Sequence, residues 1–397
     1  MNQPTIEPAA SLNHLALQSV ESAVPTDESK STRLVSLDVF RGLTMMGMTI
    51  VNNPGSWSHV YPPLRHAEWN GWTITDLVFP FFIFIVGAAI PYALGKRFES
   101  DSRQKIYLKI VRRTAVMFLL GLVLAGFPNF NLETIRIMGV LQRLALCYFA
   151  ASLIFLHTDV KMQAITALGC LAVYWLLMLI PPPDRETLWQ TKDDNIAAWL
   201  DRTIFGTAHL WKAAKTWDPE GLLSTIPAIA TALAGTLSGT WLRSPREPIE
   251  KAAGLFFAGV IALGIGGAMD WAFPINKNIW SPSYAVFMSG YALVVLAACY
   301  YAIDVNGWKK WTEPFVVFGV NALLLFFASG MLARVVGSMI KFRVGDETLS
   351  LQQFIYKHLL ASWAGEMVGS LLYPLLLLAL WYVVLRALYK RNWIWKA

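Results

Sequence analysis

Apolar runs of roughly 20 residues recur along this chain, and nothing else in it limits the possible folds so severely. That is the length a helix needs to cross a hydrocarbon core about 30 Å thick. The residues between the runs are too few and too mixed to build a separate soluble core. With a hydrophobic fraction of 55%, a charged fraction of 15% and a mean hydropathy of +0.46, the 397 residues do not read as two or three soluble domains. The expected fold class is therefore all-α: a polytopic membrane helix bundle of about ten transmembrane helices with both termini cytoplasmic. The spans are expected near 34–54, 72–94, 106–126, 134–156, 160–180, 221–242, 251–271, 282–303, 313–333 and 366–389.

Residues 1–32 are mixed polar without a continuous apolar core, so they read as a disordered cytoplasmic tail and not as a cleaved signal. Residues 33–397 form the transmembrane domain. Within it, 181–220 is the one sizeable polar segment, opened by Pro181-Pro182-Pro183 and expected to be a periplasmic loop with a short interfacial helix around Ile196 to Phe205. Orientation comes from the cationic clusters Lys96/Arg97/Arg103/Lys105/Arg112/Arg113, Arg243/Arg246/Lys251, Lys309/Lys310 and Arg386/Lys390/Arg391/Lys396, which are retained on the cytoplasmic side. The net charge of +7 thus reflects topology and calls for no nucleic acid. Cys147, Cys170 and Cys299 fall in apolar runs and carry neither a disulfide framework nor metal-ligand spacing.

Chemistry-bearing residues gather in three places. On the first span, Asp38 and Arg41 lie three apart on one helical face; they read either as a structural pair or as a phosphate-binding arginine beside its partner. The short connection to the second span holds Asn52, Asn53, His59, His66, Glu68, Trp69, Asn70, Trp72 and Asp76, a polar density unusual between two apolar runs. His66 can take a proton near neutral pH or carry an acyl group. A metal site from His59, His66 and Glu68 matches no recognised spacing, and none is expected. Asp76 can close a capping box with Thr73, and Pro80 can kink the second helix. On the fourth span, Arg136 and Arg143 are seven apart, on one face if helical, with Gln142 beside them. An arginine at membrane depth needs a carboxylate, for instance Asp270, or an anionic ligand.

These blocks resemble the heparan-alpha-glucosaminide N-acetyltransferase family, within the wider group of transmembrane acyltransferases. The resemblance runs through Arg33-Leu34 to Arg41-Gly42, through His66-Ala67-Glu68-Trp69-Asn70-Gly71 to Asp76-Leu77-Val78-Phe79-Pro80, and through Arg136-Ile137 to Gly139-Val140-Leu141-Gln142-Arg143. It covers about the first 160 residues; beyond them the chain matches only as hydrophobic spans. The resemblance implies acetyl-CoA as a cosubstrate supplied from the cytoplasm and the free amine of a glucosamine as acceptor on the far side. It places His66 at the family's catalytic histidine and Asn52 at an asparagine beside it, with Asn53 as the alternative. This chain begins without the lumenal domain that precedes these blocks in the animal enzyme, so free glucosamine or a cell-wall amino sugar is the expected acceptor and the bacterial inner membrane the expected location.

The expected activity is transfer of acetyl to an amino sugar, with His66 as general base or acyl carrier. Asn52 and Asp76 are expected at the catalytic centre, and Arg41, Arg136, Gln142 and Arg143 on the coenzyme. Glu68, Trp69, Asn70 and Trp72 are expected on the sugar. Partners are acetyl-CoA, the amino-sugar acceptor and the lipid bilayer, with a homodimer as a further candidate. The competing reading is a secondary transporter of amino sugars, for which no inverted repeat is visible.

Overall fold

The structure is a computed structural model that describes residues 34–95, 102–183 and 191–395. The tail expected over 1–32 and the basic residues Lys96 and Arg97 lie outside the described residues. Helix α1 spans Val35–Asn52, with Asp38 in its first turn, where a carboxylate suits the helix dipole. A 3-10 turn at Ile74–Leu77 leads into α2, Val78–Leu94. Pro80 sits in the first turn of α2, where its missing N–H costs nothing, so the kink expected there is not needed. Pro91 is the interior proline, and it frees the carbonyl of Gly87; the hydroxyl of Thr236 donates to that oxygen at 3.3 Å.

Helices α3 (Arg103–Gly126), α4 (Val140–His157), α5 (Val160–Met178) and the short α6 (Ile196–Phe205) follow. Next come α7 (Thr225–Leu242), α8 (Pro248–Met269), and α9 (Pro282–Tyr300) with its π-helical extension Tyr301–Val305. Helix α10 (Glu313–Val320) breaks at Asn321, and α11 (Ala322–Arg334) continues as a π turn to Met339. A small antiparallel hairpin, β1 (Lys341–Val344) with β2 (Glu347–Ser350), and an irregular helical stretch over 351–364 precede the long α12 (Glu366–Lys390).

Helix occupies each of the ten segments expected from the sequence, but seven helices among the described residues are long and apolar enough to cross a membrane. They are Ile74–Leu94, Val140–His157, Val160–Met178, Pro248–Met269, Pro282–Val305, Ala322–Met339 and Glu366–Lys390. The reasons the others fall short are chemical. Helix α1 carries Asp38 and Arg41 and ends in Asn52, α3 opens with Arg103, Lys105, Lys109, Arg112 and Arg113, and α7 is rich in Thr, Ser and Gly. The fourth expected span also starts late. Residues 134–139 are not helical and reach the helix through extended backbone at Gly139, so helix begins only at Val140.

Small residues set the closest packing. A Cβ on Gly87, Gly235 or Gly239 would collide with backbone of the facing helix, which is how α2 and α7 come into backbone contact. Around that pair the core is built from Met45, Ile83, Phe84, Tyr148, Trp280, Tyr284 and Met288. Helices α5, α8 and α12 instead turn large apolar side chains outward, with Leu168, Phe257 and Val383 each about two-thirds exposed at 66%, 69% and 67%. Apolar surface on that scale is tolerable only against lipid. The chain is a multi-pass membrane protein.

Candidate active site

The connection from α1 to α2 is a folded loop held by its own polar groups. The Arg65 guanidinium donates back to Val60 O at 2.8 Å, and the Thr73 hydroxyl donates to Arg65 O at 2.6 Å. Gly71, at a φ of +91°, turns the chain in a region that side-chain-bearing residues avoid. Asp76 closes the capping box with Thr73: the Thr73 N–H donates to Asp76 Oδ2 at 3.0 Å. The cap has a second use. Its carboxylate, fully buried, also accepts from Ala67 N at 3.1 Å and receives the His66 Nδ1 at 2.6 Å.

This arrangement fixes the imidazole. A carboxylate that accepts two backbone N–H groups is an acceptor only, so the His66 Nδ1 carries the proton and donates it. In the neutral ring the lone pair is then on Nε2; the side chain is 46% exposed. The buried anion thus selects one tautomer of the neutral imidazole.

Sequence reasoning missed the third member of the cluster. Lys277 Nζ lies 2.9 Å from His66 Nδ1, 3.2 Å from His66 Nε2 and 3.5 Å from Asp76 Oδ1. It comes from the loop between α8 and α9, which is clamped to the His66 loop. Gly71 N donates to Ile275 O at 2.7 Å, and the Asn276 amide donates to Asn70 Oδ1 at 3.1 Å. Burial pushes the Lys277 ammonium below the usual lysine range, while Asp76 and Glu220 work to keep it charged. A lysine among apolar spans carries no spacing signal, and the clamp that delivers it is a tertiary feature.

His66 and Lys277 open onto a cavity of about 740 Å³. Asn52, Glu68, Asp193, Trp211, Trp217 and Glu220 share its lining, with Phe82, Val140 and Phe326 at its apolar end. Of the two candidate asparagines, Asn52 faces the cavity, whereas the buried Asn53 spends its amide on Thr49 O at 2.9 Å. Of the residues expected on the sugar, Glu68 lines this cavity, and Trp69, Asn70 and Trp72 are not among its lining. Trp72 packs on Phe287 and Tyr291, Trp69 meets Trp217 edge-on at 5.8 Å, and Asn70 serves the loop clamp. The indoles that line the cavity are Trp211 and Trp217, from the polar loop.

Arg136 and Arg143 converge on that same loop, though not on one helical face, because Arg136 lies in the non-helical segment before α4. Arg136 makes a forked pair with Asp218 at 2.8 and 2.5 Å and also bonds Glu220. Desolvation works to lower the Arg136 pKa, but Glu220 and Asp218 outweigh it and hold the guanidinium above its ordinary value. Arg143, fully buried, donates to Gly221 O at 2.9 Å and to the Ser224 hydroxyl, and stacks on Trp280 at 5.2 Å. Its expected partner Asp270 instead accepts from Ile275 N at 2.6 Å, which helps shape the Lys277 loop. Gln142 is buried against Gly121 and Gly139, beside a second cavity that shares Arg136 and Trp211 with the first.

Arg41 bonds Asp38 Oδ1 at 3.0 Å and lines a smaller apolar cavity together with Arg113. Phe82, Val140 and Phe326 line both this cavity and the His66 cavity, so a short apolar neck separates the two. His59 belongs to another cluster, with Glu366 at 2.9 Å and Tyr356 at 3.1 Å, and does not join His66 and Glu68. Among the described residues no group of three or more potential metal ligands is found.

Residues 33–243 match the family described as a domain of unknown function, DUF5009. The chain is also 28% identical to the heparan-alpha-glucosaminide N-acetyltransferase of Mus musculus, over 94% of its own length and 61% of that protein. Against the Homo sapiens protein of the same name the identity is 27%, over 92% of this chain and 60% of the relative. The chain therefore spans about three-fifths of the length of the curated relatives it matches. These matches run beyond the first 160 residues, since they cover more than nine-tenths of the chain.

Proposed function

Because the chain belongs to the DUF5009 family and places a carboxylate-held histidine on a cavity within its helix bundle, we propose that it is a membrane N-acetyltransferase that moves acetyl from acetyl-CoA to the amine of an amino sugar. The observation that carries this reading is the His66–Asp76 bond at 2.6 Å on an imidazole that lines the cavity. The names of the relatives, heparan-alpha-glucosaminide N-acetyltransferases, support the reaction class.

In this reading acetyl-CoA arrives from the cytoplasmic face. Arg41 and Arg113 meet the coenzyme phosphates, and the pantetheine arm passes the neck at Phe82, Val140 and Phe326. The sugar amine attacks the thioester carbon and gives its proton to His66 Nε2, an effect of roughly 10²–10⁴-fold. The new C–N bond forms, the C–S bond breaks, and the imidazolium returns the proton to the departing thiolate. Asp76 holds the ring and balances its positive charge. Asn52 donates to the carbonyl oxygen, and Glu68, Asp193 and Glu220 offer acceptors to the sugar's N–H and O–H groups, the amine reacting in its neutral form. Arg136 and Arg143 hold the polar loop over the cavity, a role that replaces the coenzyme contacts expected of them. Free glucosamine or a cell-wall amino sugar is the acceptor, reached from the outer side of a bacterial inner membrane, with both termini cytoplasmic.

The test is acetyl transfer by purified protein across a panel of amino sugars, run beside uptake into proteoliposomes. Acetylated sugar formed at the expense of acetyl-CoA supports the reading. Uptake of unmodified sugar without any acetylated product contradicts it in favour of a carrier.

A further inference from the structure

Resting on that reading, we propose that Lys277 is a catalytic residue of the same site: its ammonium donates to the thioester carbonyl oxygen and carries the negative charge that oxygen gains in the tetrahedral transition state. The placement of Nζ is the first ground. It lies 2.9 Å from His66 Nδ1 and 3.2 Å from His66 Nε2. The two ring nitrogens flank one carbon, Cε1, and an atom this close to both would collide with that carbon if it lay in the ring plane, so Nζ stands over the face of the ring. An atom on the Nε2 lone-pair axis would be far from Nδ1. Lys277 therefore leaves the lone pair open for the incoming amine while standing beside the place where the amine must meet the carbonyl.

Its distances also separate this role from that of a plain counterion. Asp76 already accepts from Ala67 N, Thr73 N and the His66 ring, and Lys277 stands farther from it, at 3.5 Å, than from the imidazole. An ammonium needed only to neutralise the carboxylate would be centred on the carboxylate. This one borders the cavity. The loop that carries it is pinned by its own bonds: Asn276 N donates to the Ser281 hydroxyl oxygen at 3.0 Å, and Asn276 Oδ1 accepts from Asn278 N at 2.8 Å and from Ile279 N at 3.3 Å. A donor fixed before the substrate arrives pays no reorganisation as charge develops, and a charged donor is roughly twice as strong as a neutral one such as the Asn52 amide. The step balances as written above, because Lys277 lends a hydrogen bond and keeps its proton.

Labelled acetyl transfer to glucosamine is measured for wild type, Lys277→Met and Lys277→Arg in detergent. Lys277→Met is expected to lose kcat by roughly 10²–10³-fold, with both KM values within about threefold of wild type, and Lys277→Arg to recover at least tenfold of the loss. Should Lys277→Met fail to insert, Lys277→Gln gives the same comparison, keeping a neutral donor and lacking the charge. A neutral variant within about fivefold of wild-type kcat, a loss confined to KM, or an inserted Lys277→Arg no better than Lys277→Met overturns the proposal. If wild type itself transfers no acetyl, the acetyltransferase reading fails; if wild type and Lys277→Met transfer at kcat values within about fivefold of each other, only the role of Lys277 does.

Discussion

His66 Nδ1 and Asp76 Oδ1 stand 2.6 Å apart across ten residues of loop, and the same carboxylate caps the turn that starts the second membrane helix. One buried anion therefore does two jobs. It ends the loop at a fixed place, and it holds the imidazole that lines the cavity.

Asp76→Asn should separate these jobs. The amide oxygen can still accept from the Thr73 and Ala67 N–H groups, so the protein is expected to insert and keep its helices, with a loss of about 1–3 kcal/mol from the weaker bonds. Without the anion, nothing stabilises the charged ring, and kcat is expected to fall by at least about 10²-fold. Kinetics beside a thermal melt check this. An Asp76→Asn protein with wild-type kcat would show that the pairing is structural only.

The aromatic part of the cavity makes a second prediction. Trp211 lines it from the polar loop and meets Trp217 at 5.6 Å, edge-on. Loss of one such aromatic contact is worth about 1 kcal/mol, so Trp211→Ala is expected to raise the acceptor KM by roughly five- to tenfold and leave the acetyl-CoA KM unchanged. Initial-rate measurements against each substrate decide it, and a change confined to acetyl-CoA would place the indole on the donor path.

At the neck, Phe326 offers a test of the route taken by the donor. Phe326→Trp adds bulk between the cavity of Arg41 and that of His66. The expected result is a raised KM for acetyl-CoA of at least about tenfold, with little change for a short acetyl thioester of N-acetylcysteamine that enters from the open side. Equal effects on the two donors would argue against passage through the neck.

A stability prediction comes from Asp201, on the short helix of the polar loop. Burial pushes its carboxyl up to about 7, against the opposing hydrogen bond from Leu222 N. The folded chain thus holds a proton that the unfolded chain releases at the ordinary carboxylate pKa of 3.8. This contribution to stability is fully present below that value, declines as pH rises, and is lost by about pH 7. Asp201→Asn keeps an acceptor for Leu222 N and needs no proton. Its melting temperature is expected to exceed wild type at pH 8 and to match it near pH 4, and a higher wild-type value at pH 8 would contradict this.

Much of the fold was legible because lipid imposes a long and uniform pattern: helix lies in every segment that the apolar runs marked, and the polar loop carries its short helix at Ile196–Phe205 as expected. The errors were local. Arg136 sits in non-helical chain because the apolar run does not say where its helix begins, and Pro80 is harmless because it falls in a first turn. His66, Asn52 and Asp76 were visible as a dense polar stretch between apolar spans, and the cap motif marked Asp76. Lys277 had no such signal. It reaches His66 through a clamp between loops some 200 residues apart, Asn276 to Asn70, and the 740 Å³ cavity takes its indoles from a loop whose packing is set by Arg136 and Arg143.

The most direct test of the central claim is the rate of labelled acetyl transfer from acetyl-CoA to glucosamine by purified wild type and His66→Ala, both shown by melting to bind acetyl-CoA. The account predicts transfer by wild type and a loss of roughly 10²–10⁴-fold in His66→Ala with the donor still bound. A His66→Ala protein that transfers acetyl within about threefold of the wild-type rate would contradict it.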